Sequence, residues 1–158
     1  MTALVVAQPL WSSISFDRIA ARPDTRVLAS RWMADSLPKD ATLAIAGTVF
    51  WSWGEPQIPP GIRVTRTGLD PARIDEAGAD FLLTHDHPLF SSTIDEQKLR
   101  RLEPQLRLRA EFDPFVGGRK TTLFDRQDAY YIPMAGLSAV ERSGPAIRIY
   151  EVLPATGP

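Results

Sequence analysis

Between residues 24 and 46 the spacing of hydrophobic positions changes once, from helical to continuous. Leu28, Ala29, Trp32 and Met33 recur three and four apart, with Leu37 beside them. Arg26, Ser30, Arg31 and Asp35 fall on the other side, so this segment is predicted to be an amphipathic helix. Asp24 stands where a side-chain oxygen can cap the first free N–H groups. Pro38 ends the helix because its ring cannot continue the hydrogen-bond ladder. Residues 41–46 (ATLAIA) are then almost wholly apolar, as expected of a strand covered on both faces.

Later segments repeat the alternation of strand and helix. Ile62 to Thr67 (IRVTRT) alternates apolar and polar residues, a strand pattern. Leu69 to Ala77 has proline near a helix start and ends before Gly78, which can take the left-handed conformation of a helix end. Asp80 to His85 (DFLLTH) is a second apolar strand, and helix–glycine–strand order suggests a parallel crossover. Residues 91–104 read as a helix capped by Ser92 or Thr93, with acids early and arginines late. Leu106 to Phe112 alternates again, and Ala146 to Leu153 (AIRIYEVL) is the last strand, antiparallel or at an edge. The expectation is an α/β domain, a mostly parallel, Rossmann-like open sheet of about five strands with helices on its faces.

The flanks are less regular. Residues 1–23 are expected to be an N-terminal arm, or the stub of a preceding membrane helix in ALVVAQPLW with Trp11 at the interface. Ile14, Phe16 and Ile19 are candidates for docking that arm on the body. Residues 24–153 form the single domain, and 154–158 a frayed tail. The chain has 158 residues, enough for one real core and too few for two. Its 18 basic and 19 acidic side chains nearly cancel, which leaves no basic field for nucleic acid or an anionic membrane. It has no cysteine, which removes disulfides, thiolate nucleophiles and Cys-based metal sites.

Several constellations invite chemical readings. His85 and His87 flank Asp86, and alternate residues of a strand point the same way, so both rings can face one metal ion. No third ligand is marked by spacing, and the plain alternative is a polar strand end turning at Pro88. Residues 117–122 (GGRKTT) lack phosphate-loop spacing and read as a hairpin turn. The first apolar strand ends in one glycine, Gly47, which does not support a dinucleotide site. There is no G-x-S-x-G elbow. Trp51 and Trp53 sit in a proline-bounded loop, where they either stack on sugar or lipid or cover the edge of the core. Tyr130 and Tyr131 carry the same two readings. No residue is marked as catalytic, and no cofactor is implied.

Two stretches together have a family likeness. One is Asp24-Thr25-Arg26, with Trp32 and Leu37-Pro38 ahead of a short strand. The other runs from Phe124-Asp125 through Asp128-Ala129-Tyr130-Tyr131-Ile132-Pro133 and Ala135-Gly136 to Ser143-Gly144-Pro145, Ile147, Ile149 and Tyr150. They resemble the soluble tail of bacterial polytopic membrane glycosyltransferases of the family 39 type, the protein mannosyltransferase-like and aminoarabinose transferase-like enzymes. The resemblance implies a non-catalytic domain on the extracytoplasmic, periplasmic face of the inner membrane. Its partners would be the membrane-embedded part of the same protein and, through it, a glycan or lipid-linked sugar. The parent would move sugar from polyprenyl phosphate to lipid or protein. The acidic catalytic residues of such enzymes lie upstream of this tail, and no position here matches them. Trp51, Trp53, Tyr130 and Tyr131 are the expected substrate or partner surface. Two other readings stay open: a freestanding, cytoplasmic α/β module binding a small ligand at the carboxyl ends of its strands, and a metal-dependent hydrolase using His85 and His87.

Overall fold

A computed structural model describes residues 2–47, 54–89, 93–116, 122–125 and 131–154; for residues 2–6 only the backbone is described. The expected alternation is present. Helix α1 (Thr2–Ala20) leads into α2 (Thr25–Ser36), then β1 (Thr42–Ala46), β2 (Arg63–Arg66), α3 (Pro71–Glu76) and β3 (Phe81–Asp86). Helix α4 (Glu96–Leu102), β4 (Leu106–Phe112) and β5 (Ala146–Val152) complete the regular elements, with short 3₁₀ turns at Glu103–Gln105 and Leu137–Ala139.

The five strands form one open sheet in the order β2-β1-β3-β5-β4. β1 pairs in parallel with β2 and β3, whereas β5 is antiparallel to both β3 and β4. The sheet is therefore mixed: two of its four neighbouring pairs are parallel. β5 is antiparallel, as one reading of its sequence had it, but it lies inside the sheet. Its charged residues explain how it can. Arg148 donates to Glu111 of β4 at 2.7 Å, and Glu151 receives Arg109 of β4 at 2.7 Å. Charge on this strand is matched across the ladder. β4 takes the edge, with an irregular register between Leu108 and Ala110 and an arginine-rich face, features that discourage further strand pairing.

Strand alternation divides the core in two. On one face Leu43, Ile45, Leu83, Ile147 and Ile149 pack against Ala29, Met33 and Leu37. On the other, Ala44, Ala46, Leu82 and Tyr150 meet Ile74 of α3 with Leu99 and Leu102 of α4. Helices thus cover both faces, and β1 is buried at all five positions, as its unbroken apolar run implies.

Two element starts differ from expectation. α4 begins at Glu96 because Asp95 caps it, accepting from the Gln97 and Lys98 amides at 3.0 and 3.1 Å; Thr93 precedes the cap, and Ser92 lies outside the described residues. The arm is helical from Thr2, with Pro9 inside it. Ile19 docks on the body, at 2% exposure, whereas Ile14 and Phe16 remain about half exposed. Among the described residues no helix is long and apolar enough to cross a membrane. The expected turn at 117–121 lies outside the described residues.

Candidate functional site

Because α2 runs back along β1, its amino end lies over the carboxyl ends of β1 and β3. The start of β5 reaches the same place, since Ala146 pairs with Asp86. Four separated segments therefore converge: 24–26, 47, 85–87 and 143–146.

Asp24 caps α2 by accepting from the Arg26 amide at 2.8 Å. The same carboxylate holds the Arg26 guanidinium in a two-point grip, at 2.9 Å to Nε and 2.7 Å to the second oxygen. Burial pushes the Asp24 carboxyl up, but the Arg26 charge and hydrogen bonds, with one from Ser143, outweigh it and hold the pKa below the usual value. Arg26 is held above its ordinary value: burial opposes its charge, and Asp24 more than compensates. Thr25 makes the long-range connection. Its amide donates to the Ser143 carbonyl at 3.0 Å, and its hydroxyl to the Pro145 carbonyl at 2.7 Å. Gly144, between them, has φ +105°, and a Cβ there would stand 2.0 Å from the Thr25 hydroxyl and 2.6 Å from an Asp24 oxygen. Only glycine allows this approach.

Arg26 also lies over the Tyr131 ring, 4.9 Å from its centroid, in cation–π geometry. Tyr131 meets His87 edge-on at 4.8 Å, and His87 meets Phe124 edge-on at 4.4 Å. His87 Nδ1 accepts from the Leu89 amide at 3.2 Å, which places the proton of the neutral ring on Nε2. The series Asp24–Arg26–Tyr131–His87–Phe124 is continuous, and it binds loops onto the end of β3. Tyr131 is 1% exposed and packs within this series. Trp51, Trp53 and Tyr130 lie outside the described residues.

His85 stands apart from that series. It is fully buried, and among the described residues neither ring nitrogen has a hydrogen-bond partner. Its ring lies against Gly47, where a Cβ would stand 2.5 Å from Nε2. Burial lowers the His85 pKa, opposed in part by the carboxylates of Glu55 and Asp86. The Glu55 side chain is itself nearly buried, and Arg66 grips it at 3.0 and 2.7 Å. Burial thus disfavours the charged form of the ring more than these carboxylates favour it.

The two histidines consequently do different work. β3 ends at Asp86, so the alternation that would aim both rings at one ion stops short of His87. Among the described residues no group of three or more His, Cys, Asp or Glu side chains is placed to hold a metal. Asp24 accepts from Arg26 and from Ser143, and among the described residues the ring nitrogens of His85 have no hydrogen-bond partner. What the site does is hold distant segments together. Sequence reasoning saw Asp24 as a cap and Gly47 as a strand end. It missed Gly144 as a contact point and Glu55 as a neighbour of His85. The Ser143-Gly144-Pro145 turn was the available signal. Comparison of the chain with models of protein families, with characterised proteins and with solved structures finds no match.

Proposed function

We propose that the chain is a non-catalytic extracytoplasmic domain of an integral-membrane glycosyltransferase, one that passes sugar from a polyprenyl-phosphate donor to a lipid or protein acceptor. The supporting observation is the lock between Thr25 and Ser143–Pro145, a side-chain bond across 120 residues of sequence. The two stretches that carry the family resemblance are the two halves of that lock, with Tyr131 joined to it through Arg26. A signature that fastens a fold together belongs to a module whose architecture is its contribution. The commitment of Asp24 to Arg26 and the burial of His85 agree with a domain that leaves chemistry to another part of the protein. Its role is to cap the membrane bundle and to shape the acceptor side of the site.

The experiment is replacement of Trp51 and Trp53 together by alanine in the full-length transferase. Acceptor use falls while the isolated domain keeps its circular dichroism spectrum. Unchanged transfer with an intact domain would remove the loop from the acceptor site. A second reading, a freestanding module for a small polar ligand, is favoured by one feature: the buried, unpartnered nitrogens of His85 at the carboxyl ends of the parallel strands. The reading frame upstream of Met1 separates the two. Apolar segments in the same frame support the transferase, and a ribosome-binding site behind an in-frame stop supports the module.

A further inference from the structure

Helix α1 is exposed along most of its length. Ile19, buried at 2% exposure, marks the side that faces the body. At about 100° per residue, Ser12 and Ser15 fall within about 40° of that side. Leu10 and Ile14 fall about 140° to 180° away, on the outward side. They are 57% and 46% exposed. Ser12 is exposed and Ser15 half-buried; among residues 7–20 only Ile19 is buried, and the helix presents aliphatic side chains to the surroundings. No charged residue occurs from Thr2 to Phe16.

The apolar surface does not stop at the helix. On one flank Trp11, 62% exposed, borders a groove of about 340 Å³ with Val116 and Val140. On the other, Phe16 borders a groove of about 680 Å³ with Ile132 and Met134, and Met134 is 69% exposed. Leu123, bridged to Ala135 beside Met134, is 61% exposed. Exposed apolar residues thus occur on α1 and on the segments along both its flanks, a clustering that marks interaction sites.

We infer that this end of the molecule, α1 with the tips carrying Val116, Leu123 and Met134, rests in the outer part of a lipid bilayer that contains anionic headgroups. Three features select lipid over a protein groove. Apolar residues occupy both flanks as well as the outward side of α1, whereas a helix bound in a groove needs one stripe. The aromatic residues sit at the flanks, where an interfacial helix places them. Arg18 falls within about 20° of Trp11 around the helix and two turns along it, at the border of the uncharged run. There it can meet a lipid phosphate; Arg22 lines the same groove but is paired there with Glu141. Among the described residues no helix is long and apolar enough to cross a membrane; the apolar residues on both flanks of α1 suit a helix lying along the surface. This inference needs no sugar transfer and is separable from the transferase reading.

The test uses the whole chain and protein-free vesicles, of phosphatidylcholine alone and with about one-third phosphatidylglycerol, scored by flotation. The chain floats with both, and the anionic lipid strengthens binding by roughly fivefold for each arginine engaged. Brominated acyl chains quench its tryptophan fluorescence, and the W11F variant loses that quenching. The paired L10Q and I14Q substitutions weaken binding at least tenfold without changing the circular dichroism spectrum. If they disturb folding, the W11F quenching result decides by itself. Failure of the unaltered chain to float with either vesicle would overturn the inference. So would wild-type binding by a folded L10Q/I14Q chain, or concentration-dependent dimerisation that buries Trp11 in place of lipid.

Discussion

Replacing Gly144 by alanine should break the lock between the ends of the domain, and the structure gives the size of the effect. The new Cβ would lie 2.0 Å from the Thr25 hydroxyl and 2.6 Å from Asp24, so both must move. The bond from Thr25 to the Pro145 carbonyl is then lost, at about 1 kcal/mol. The Asp24 cap of α2 is disturbed, at about 1 kcal/mol. Alanine at φ +105° adds about 1–2 kcal/mol of backbone strain. The sum is about 3–4 kcal/mol, against a total of about 5–15 kcal/mol for a domain. At about 2–4 °C per kcal/mol, the melting temperature falls by roughly 10 °C. Gly78 is the control: it also has positive φ, +58°, but a Cβ there would meet nothing within 4 Å. Gly78→Ala should cost only the strain, about 1–2 kcal/mol. Urea unfolding followed by circular dichroism measures both. A Gly144→Ala loss no larger than that of Gly78→Ala would refute the lock as a source of stability.

Three further outcomes follow from the same site. The His85 pKa lies below its ordinary value in the folded chain, so the unfolded chain binds more protons as pH falls through about 6.5. Stability therefore declines from that pH downward, and His85→Leu should flatten the decline when urea midpoints at pH 7.5 and 5.5 are compared. Equal slopes for the two chains would exclude His85 as the cause. Gly47→Ala drives a methyl group into the His85 ring and should cost about 2 kcal/mol. Adding His85→Ala should recover at least about 1 kcal/mol of it in a double-mutant cycle, and strict additivity would show that the two do not touch. Thr25→Val keeps the shape but leaves the Pro145 carbonyl without its hydroxyl donor, and should cost about 1–3 kcal/mol in the same urea assay.

The parts of the fold legible in sequence were those set by local pattern. β1 and β3 were readable because burial on both faces writes an unbroken apolar run, and α2 because Asp24 and Pro38 bound a helical repeat. The place of β5 was not readable. Arg148 and Glu151 suggest exposure, and only the β4 partners show how an interior strand carries them. Ser92, Thr93 and Asp95 are all good caps, so the start of α4 waited on geometry. Pro9 lies inside α1, where a proline removes one ladder bond and the helix continues through it. At the site, the resemblance drew attention to the two stretches that prove to touch. It gave no hint that Tyr131 is internal, because an aromatic pair reads alike whether it covers a core or meets a ligand. The separation of His85 from His87 depended on where β3 stops, a boundary that alternation alone does not mark.

The account makes this chain one part of a larger protein held at a membrane. An antibody raised against residues 24–153 and applied to fractionated native cells tests that directly. The account predicts a band in the membrane fraction at a mass several times the 17.5 kDa of this chain, released by detergent and retained in high salt. A band of 17.5 kDa confined to the soluble fraction would contradict it.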